Sequence, residues 1–307
     1  MTVFQKYYKK IAILILIIAL VLPNSSCTQK QESFKFIFMT DIHLQPEKKG
    51  IQGFQKAIKR TNSINPDFTL TGGDLIMDAL GQSRSRADSL YNLYQKTVKS
   101  LNMPVYNTIG NHEVFGLYKE SGVSPSNSFY GKKMYKKRMQ KERTYYSFEH
   151  KGWHFMVLDG IGFTSDRHYI GKIDSTQMKW IKKDLSKIDK DKPIIVSVHI
   201  PFYSILAQAV EGGTEPLSKG AIITNNVEVL DLFEDYNLKL VLQGHLHIVE
   251  DIKYKGTHYI TGGAVSGHWW EGPNYGHEEG FVVVEIKGNQ FDWHYEDYGW
   301  KVKSQDN

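Results

Sequence analysis

The sequence predicts an α/β fold, because strand-like and helix-like segments alternate over its first two thirds and strand-like segments alone follow. A second observation is that five of the predicted strands end in residues able to bind metal. The composition agrees with a globular enzyme. The chain has 307 residues, of which 41% are apolar and 23% charged, and this excludes disordered, collagen-like and coiled-coil proteins.

The alternating part contains six predicted strands separated by four predicted helices. The strands are short apolar runs that stop at Gly, Asn, Asp or His, at residues 34–39, 68–71, 104–109, 153–158, 194–198 and 238–242. The helices have apolar residues three and four positions apart, at residues 54–61, 83–101, from about 175, and 227–236. Asn65-Pro66 ends the first helix.

The last third carries four further strand-like runs separated by glycine-containing turns, at residues 249–253, 257–261, 280–286 and 291–295. Strands joined by short turns usually pair with their neighbours. We therefore expect a β meander in this part of the chain.

The amino terminus has the pattern of an export signal. Lys6, Lys9 and Lys10 precede twelve apolar residues, 11–22, a run too short to span roughly 30 Å of hydrocarbon as a helix. The single cysteine, Cys27, follows Ser25-Ser26 and cannot form a disulfide within the chain.

This stretch resembles a bacterial lipoprotein signal, although Asn24 stands where such signals have an aliphatic residue. The resemblance implies a signal peptide over 1–26, lipid on Cys27 and a tether over 27–33. We expect the rest of the chain to form one domain over 34–300 and a short tail over 301–307. The protein would then be membrane-anchored outside the cytoplasm, on the periplasmic or cell-surface side. An uncleaved anchor and ordinary secretion are the alternatives.

The net charge is too small to argue for nucleic-acid binding, and we expect no nucleic-acid partner. This charge is +5, from 38 Lys and Arg against 33 Asp and Glu, and loss of the three amino-terminal lysines leaves about +2. The densest run of cations lies within residues 132–143. It could guide anionic substrates or contact acidic lipids, or it could be a solvated helix face.

The candidate metal ligands follow strands that are far apart in the sequence. They are Asp41 and His43, Asp74, Asn111 and His112, His199, and His245 with His247. Ligand sites of open α/β sheets form at the carboxyl ends of strands. Because Asp41 and His245 are 204 residues apart, only the fold could join them into one site.

The clusters Asp41-x-His43, Gly73-Asp74, Gly110-Asn111-His112-Glu113, His199 and Gly244-His245-x-His247 resemble, in order, the motifs of the calcineurin-like metallophosphoesterases. The resemblance extends over residues 34–299. It implies a four-layer α/β/β/α sandwich with a two-metal site. It assigns Asp41, His43 and His247 to one ion, and Asn111, His199 and His245 to the second, with Asp74 as the bridge.

Such a site would hydrolyse phosphomonoesters or phosphodiesters. Two divalent ions roughly 3.5–4 Å apart can hold a phosphoester's oxygens beside a bridging hydroxide that attacks the phosphorus. Two Asp, one Asn and four His suit Mn, Fe, Zn or Co better than Ca, and one Cys excludes a thiolate zinc site.

By the same resemblance, Asn111 and His112 contact the phosphate, and His112 protonates the leaving oxygen. Glu113 is the predicted acidic partner of His112, although Asp41 could also reach it, and a merely supporting role for His112 is the alternative. His268, in the aromatic segment 266–279, is predicted to contact substrate, or else that segment packs at a sheet edge. The loop 201–224 is either a lid or a passive surface loop.

Two features of the sequence bear on which branch of the family it resembles. Met77 occupies the position where purple acid phosphatases have a tyrosine, which argues against iron–tyrosinate chemistry. The block 171–180 is similar to the cyclic-nucleotide phosphodiesterase branch, but an exported protein would not meet intracellular cyclic AMP. A cyclic-nucleotide phosphodiesterase and a non-catalytic, membrane-anchored binding lipoprotein are the alternative functions, and the full set of seven ligands favours an enzyme.

Overall fold

The computed structural model describes residues 32–302. Its strands are β1 Ser33–Met39, β2 Phe68–Thr71, β3 Val105–Asn107, β4 Tyr146–His150, β5 Trp153–Val157, β6 Ile161–Phe163, β7 Tyr169–Gly171, β8 Ile194–Ser197, β9 Leu238–Gln243, β10 Val249–Tyr254, β11 Thr257–Gly262, β12 Gly280–Lys287 and β13 Gln290–Asp297. Its α-helices are α1 Gly50–Ile64, α2 Arg84–Thr97, α3 Lys132–Arg138, α4 Ser175–Leu185, α5 Leu206–Val210 and α6 Asn226–Leu230. Single 3₁₀ turns cover Glu47–Lys49, Val98–Ser100, Lys119–Ser121 and Asp231–Phe233.

The strands form two main sheets. The first sheet has the order β13-β12-β1-β2-β3, in which β1, β2 and β3 are parallel and β12 and β13 are antiparallel to their neighbours. The second has the order β10-β11-β9-β8-β5-β4, with four parallel central strands and an antiparallel strand at each edge. Strands β6 and β7 form a separate hairpin.

Aromatic residues fill the space between the sheets. Phe36 and Phe68 of the first sheet stack with ring centroids 5.0 Å apart, and Phe155 of the second sheet meets Phe36 edge-on at 5.5 Å. Helices α1 and α2 cover the outer face of the first sheet, and α4 and α6 cover that of the second. The four-layer α/β/β/α sandwich implied by the sequence is therefore confirmed.

The expected carboxyl-terminal meander is wrong. Strand β11 pairs in parallel with β9, and β12 pairs with β1 of the other sheet, so the last third is divided between two sheets. Alternation along a strand determines which face is buried but not which strand is its neighbour. The predicted helix 227–236 is also shorter, because α6 continues only as the 3₁₀ turn Asp231–Phe233.

The topology places the candidate ligands at one end of the sandwich. Strands β1, β2 and β3 run parallel and are followed by Asp41, Asp74 and Asn111, while β8 and β9 are followed by His199 and His245. The predicted export signal and Cys27 lie outside the described residues. Within residues 32–302, every helix lacks the length and hydropathy needed to cross a membrane.

Candidate metal centre

All seven predicted ligands come together at the carboxyl ends of the strands. Three overlapping groups have ligand atoms within 4.8 Å of one another, namely Asp41–His43–His247, Asp74–His199–His245 and His43–Asp74–His112. The Oδ1 atom of Asn111 lies 3.1 Å from His199 Nε2, beside the second group. The first two groups match the two ligand sets that the family resemblance implies. The role of each residue as a ligand stays a prediction.

Asp74 lies where a bridging carboxylate is needed. Its Oδ2 atom is 3.6 Å from His43 Nε2 and 3.1 Å from His199 Nε2. Its other oxygen, Oδ1, accepts a hydrogen bond from the backbone N–H of His112 at 2.9 Å. One carboxylate oxygen therefore faces both ligand groups while the second is held by the backbone.

The histidine tautomers fit divalent cations. His247 Nδ1 donates to the carbonyl of Gly267 at 2.6 Å, and His199 Nδ1 donates to the carbonyl of Gly72 at 2.8 Å. With Nδ1 as the donor, the neutral form of each ring turns an Nε2 lone pair inward, as metal-binding histidines do. His247 Nε2 lies 3.0 Å from His43 Nε2, a contact between ring nitrogens that a shared cation would stabilise.

Five of the seven ligands have unusual backbone geometry. Positive φ angles occur at Asp41 (55°), His43 (43°), Asp74 (49°), His245 (73°) and His247 (56°). Non-glycine residues rarely adopt this left-handed conformation, which costs on the order of 1–3 kcal/mol per residue and persists only where the surroundings impose it. Here the strand-end turns bond to each other: Asp41 N–H donates to Gly73 O, and His43 N–H to Asp74 O.

Two glycines of the motifs are required because neighbouring side chains lie too close to them to leave room for a Cβ atom. A Cβ atom on Gly110 would lie 2.2 Å from Asp74 Oδ1, and one on Gly244 would lie 2.0 Å from Thr40 Oγ1. A Cβ atom on Gly244 would also lie 2.6 Å from Asp41 Oδ2. Any side chain at position 110 would therefore displace the Asp74 carboxylate, and any side chain at position 244 would displace that of Asp41.

Electrostatics keep three of the ligands, Asp41, His43 and His245, in the protonation states that bind metal. Burial alone would raise the pKa of Asp41, but the charge and hydrogen bond of His247 outweigh it, so this pKa is well below its usual value. Burial lowers the pKa of His43 to about 4, and burial with the charge of His199 lowers that of His245 to about 3. At neutral pH, Asp41 is therefore ionised while His43 and His245 are neutral.

His199 and His247 differ from the other two ring ligands. Burial acts to lower the pKa of both, but the charge and hydrogen bond of Asp41 raise the pKa of His247, and the charge and hydrogen bond of Asp74 raise that of His199 to about 9. A metal ion that bound His199 would therefore displace a proton.

His112 is held with one nitrogen toward the centre. Its Nδ1 atom contacts the carbonyl oxygen of Met77 and lies 3.8 Å from Asp78 Oδ1, while its Nε2 atom lies 3.8 Å from Asp74 Oδ2. The side chain is 20% exposed, so a substrate can reach it. Asp78 is a carboxylate neighbour that the sequence interpretation missed.

The predicted pairing of Glu113 with His112 is wrong. The Glu113 side chain is fully buried and accepts backbone N–H groups from Asp74, Leu75, Ile76 and Gly110, at 2.7–3.2 Å. Both carboxylate oxygens are used in this way. Glu113 thus holds the two turns that carry Asp74 and Asn111, and it acts through the backbone.

His268 lies on the rim, exposed, with its ring centroid 4.7 Å from that of Trp269. Its contact with substrate stays a prediction. Its neighbours Gly267 and Trp270 contact two of the predicted ligands directly. Gly267 accepts the bond from His247, and Trp270 Nε1 donates to the carbonyl of His43 at 3.1 Å. Sequence reasoning missed both, because neither residue type is a metal ligand.

The block 171–180 has a structural role at the start of α4. Asp174 caps the helix by accepting the N–H of Gln177 at 2.8 Å, and Gln177 bonds in turn to the backbone of Asp159. Its similarity to the cyclic-nucleotide branch therefore gives no information about substrate.

The cation-rich run 132–143 is partly neutralised. Lys132 pairs with Asp159 at 2.7 Å, and Arg138 pairs with Asp88. The long loop 201–224 contains α5, and its end is fixed where Thr224 N–H donates to Gly171 O at 2.8 Å. Substrate or lipid contacts by either stretch remain predictions.

Comparisons with known proteins agree with this architecture. A dimetal phosphatase from Danio rerio superposes with a TM-score of 0.59, at 14% identity, over 87% of this chain and 99% of that chain. GAP50, the anchor in the inner membrane complex of Plasmodium, superposes with a TM-score of 0.54, at 17% identity, over 87% of this chain and 85% of that chain. At these identities the likeness establishes the fold.

The sequence of the chain also matches a purple acid phosphatase and a family model. Purple acid phosphatase 18 of Arabidopsis thaliana is 29% identical over 121 residues, which span 39% of this chain and 24% of that protein. The model of the calcineurin-like phosphoesterases matches residues 34–249, which include all seven candidate ligands. The chain therefore belongs to the calcineurin-like phosphoesterase family, whose members are dinuclear metal-dependent phosphoester hydrolases.

Proposed function

We propose that the protein hydrolyses phosphomonoesters or phosphodiesters with two divalent ions, of the Mn, Fe, Zn or Co type. The observation that carries this proposal is the position of Asp74 Oδ2, 3.6 Å from His43 Nε2 in one ligand group and 3.1 Å from His199 Nε2 in the other. When bound, the two ions would supply Lewis-acid activation of the phosphoester and of water.

The residues of the chain would then have separate tasks. Asn111 and His112 lie beside the ligand groups and would bind the phosphoryl oxygens. The contact of His112 Nδ1 with the Met77 carbonyl leaves Nε2 free to carry a proton toward the centre. As the ester P–O bond breaks, that proton passes to the leaving oxygen, and the oxygen of water completes the product phosphate.

The test is turnover of a substrate panel by the purified protein with each metal added singly. The panel contains phosphomonoesters, phosphodiesters, phospholipids and 3′,5′-cyclic AMP. We expect metal-dependent hydrolysis that Asp74→Asn abolishes, because the neutral amide removes the charge facing both ligand groups. An Asp74→Asn protein that keeps two metals by elemental analysis and turns over normally would contradict the proposal.

We also propose that the protein acts outside the cytoplasm, anchored by lipid on Cys27. The support is the sequence pattern of a basic start, a short apolar run and a lone cysteine. The several acyl chains of a lipoprotein would hold it at the membrane, whereas one chain binds only marginally. Cys27→Ser should release or mislocalise the protein. Recovery of unmodified full-length protein from the cytoplasm of its native cell would refute this location.

A further inference from the structure

One short loop, residues 266–270, bonds to every member of the ligand group Asp41, His43 and His247, called here the first ligand group. The loop is named here the tryptophan loop, and it lies beyond the region 34–249 that the family model matches. Each of three bonds joins a loop residue to a different ligand: Ser266 Oγ to the Asp41 carbonyl at 2.8 Å, Trp270 Nε1 to the His43 carbonyl at 3.1 Å, and His247 Nδ1 to the Gly267 carbonyl at 2.6 Å.

The second ligand group, Asp74, His199 and His245, is held by other residues. Glu113 accepts the N–H of Asp74 at 2.9 Å, and the carbonyl of Gly72 accepts from His199 Nδ1 at 2.8 Å. In the part of the chain that the structure describes, no hydrogen bond from the tryptophan loop reaches a member of this group. The two groups therefore have separate supports, although Asp74 faces both of them.

Trp270 fixes the tryptophan loop on the first turns of α1. Its side chain is only 1% exposed. A Cβ atom on Gly53 would lie 2.1 Å from its ring, and one on Gly50 would lie 3.0 Å from its Nε1 atom. Its φ angle of 72° is rare for a bulky residue and persists only where the surroundings impose it. Packing on α1 therefore holds the indole N–H against the His43 carbonyl.

We propose that Trp270 is a positioning residue that sets the affinity of the first ligand group for its ion and leaves that of the second group unchanged. His43 has a left-handed backbone, and its Nε2 atom lies 3.0 Å from that of His247. Without the indole N–H, the turn at His43 loses a partner and can relax away from His247. Groups that hold metal ligands typically contribute about 10–100-fold to metal affinity. This inference rests on the proposed dinuclear site and adds the residue that controls one of its two ions.

Trp270→Phe and Trp153→Phe are a matched pair of variants. Both tryptophans are 1% exposed, and each donates its indole N–H to a backbone carbonyl, at 3.1 Å to His43 and at 2.8 Å to Gly288. Trp153 begins β5, a strand parallel to β8, so it lies at the opposite end of the sheet from the ligands. The two variants therefore lose the same kind of bond and the same volume, one at the metal centre and one away from it.

Ser266→Ala is the second variant, because it removes one hydroxyl from the same loop without opening a large cavity. Its effect on the first ligand group should be smaller than that of Trp270→Phe, since the Ser266 backbone N–H still donates to the Asp41 carbonyl at 3.2 Å. The Asp41 carboxylate also accepts the N–H of His245 at 2.9 Å. Trp270→Phe, which acts at His43, is therefore the more selective of the two.

The measurement is titration of the metal-free purified protein with Mn²⁺ by calorimetry, with the bound ions counted by elemental analysis. The wild type should bind two ions. We expect Trp270→Phe to keep one of the two affinities and to bind the other ion about 10–100-fold more weakly, whereas Trp153→Phe should bind both as the wild type does. Turnover by Trp270→Phe should return as Mn²⁺ is raised, which a damaged fold would not allow.

Two ligand variants show which ion is affected. In a His247→Ala background the first ligand group lacks a ligand, so adding Trp270→Phe should leave the affinity for the remaining ion unchanged. In a His199→Ala background the second group lacks a ligand, so adding Trp270→Phe should weaken the remaining ion by the same factor of about 10–100.

Equal weakening of both ions in Trp270→Phe, or no weakening, would overturn the inference. So would equal weakening in Trp153→Phe, because loss of packing would then be the cause. If Trp270→Phe does not fold, wild-type binding of both ions by Ser266→Ala would overturn it. A wild type that binds fewer than two ions would overturn it as well. Failure of the proposed function has a different signature: the wild type would bind two ions, with the selective weakening in Trp270→Phe, and yet hydrolyse no member of the substrate panel.

Discussion

Replacing Glu113 tests the idea that one buried carboxylate organises the centre through the backbone. The carboxylate accepts the N–H groups of Leu75 and Ile76 with Oε1, and those of Asp74 and Gly110 with Oε2. In Glu113→Gln the amide oxygen can replace only one of these atoms. The NH₂ group then faces two N–H donors that are buried and have lost their acceptor.

The expected loss of stability follows from the number of buried N–H donors that each substitution leaves without an acceptor. Each unsatisfied buried donor costs about 1–3 kcal/mol, so Glu113→Gln should lower the free energy of unfolding by about 2–6 kcal/mol. Glu113→Ala frees all four donors, a loss of about 4–12 kcal/mol, which is comparable with the whole stability of a domain. We therefore expect the alanine variant not to fold, and the glutamine variant to be the informative one.

Urea unfolding and metal analysis provide the assay. Glu250→Gln is a suitable control, because Glu250 Oε1 accepts a single backbone N–H, from Ile205 at 2.9 Å near the surface. The control should lose about 1 kcal/mol or less. Glu113→Gln should also bind less metal, since the turns that carry Asp74 and Asn111 lose their anchor. A Glu113→Gln protein with wild-type unfolding and both metals would refute this reasoning.

Three further predictions concern His112, the metals and pH. His112→Ala should keep both metals and slow turnover of alkyl esters by about 10²–10⁴-fold, with a smaller loss for p-nitrophenyl esters; equal losses would show that it binds phosphate without donating a proton. Chelation should lower the free energy of unfolding, by about 2.7 kcal/mol per site relative to protein with free metal at 100 times its Kd, and an unchanged urea midpoint would contradict this. Burial alone would lower the pKa of His154, but its bonds to Asp184 and Glu149 raise it above 6.5. The stability that this ring adds should therefore be complete below about pH 6.5 and be lost as the pH rises through the folded-state pKa, and the difference in urea midpoint between wild type and His154→Gln should show it.

The sequence and its family resemblance were sufficient to predict the layers and to name candidate ligands that the fold brings together, but not to predict which residues hold those candidates in place. Asp41, Asp74 and His199 could be found because each follows an apolar strand, and strand ends are local features. The segment 266–279 was found as an aromatic loop, but its support of the predicted ligands could not be found in this way, since Trp270 and the His43 carbonyl that it contacts are 227 residues apart. The role of Glu113 was missed for a related reason: its partners are backbone amides, which carry no side-chain signal.

The ligand groups also explain why metal should matter beyond the site. Asp41 and His43 follow β1 of the first sheet, while His247 follows β9 of the second; likewise Asp74 follows β2, while His199 and His245 follow β8 and β9. Each predicted ion would therefore be held by residues from both sheets and would join the two halves of the sandwich. It would also offset the cost of five left-handed ligand backbones, which the apo protein must bear without it. Chelation should accordingly weaken amide-exchange protection at the carboxyl ends of β1, β2, β8 and β9 together. Protection lost at one strand end alone would mean that the ions stabilise a single loop and not the contact between the sheets.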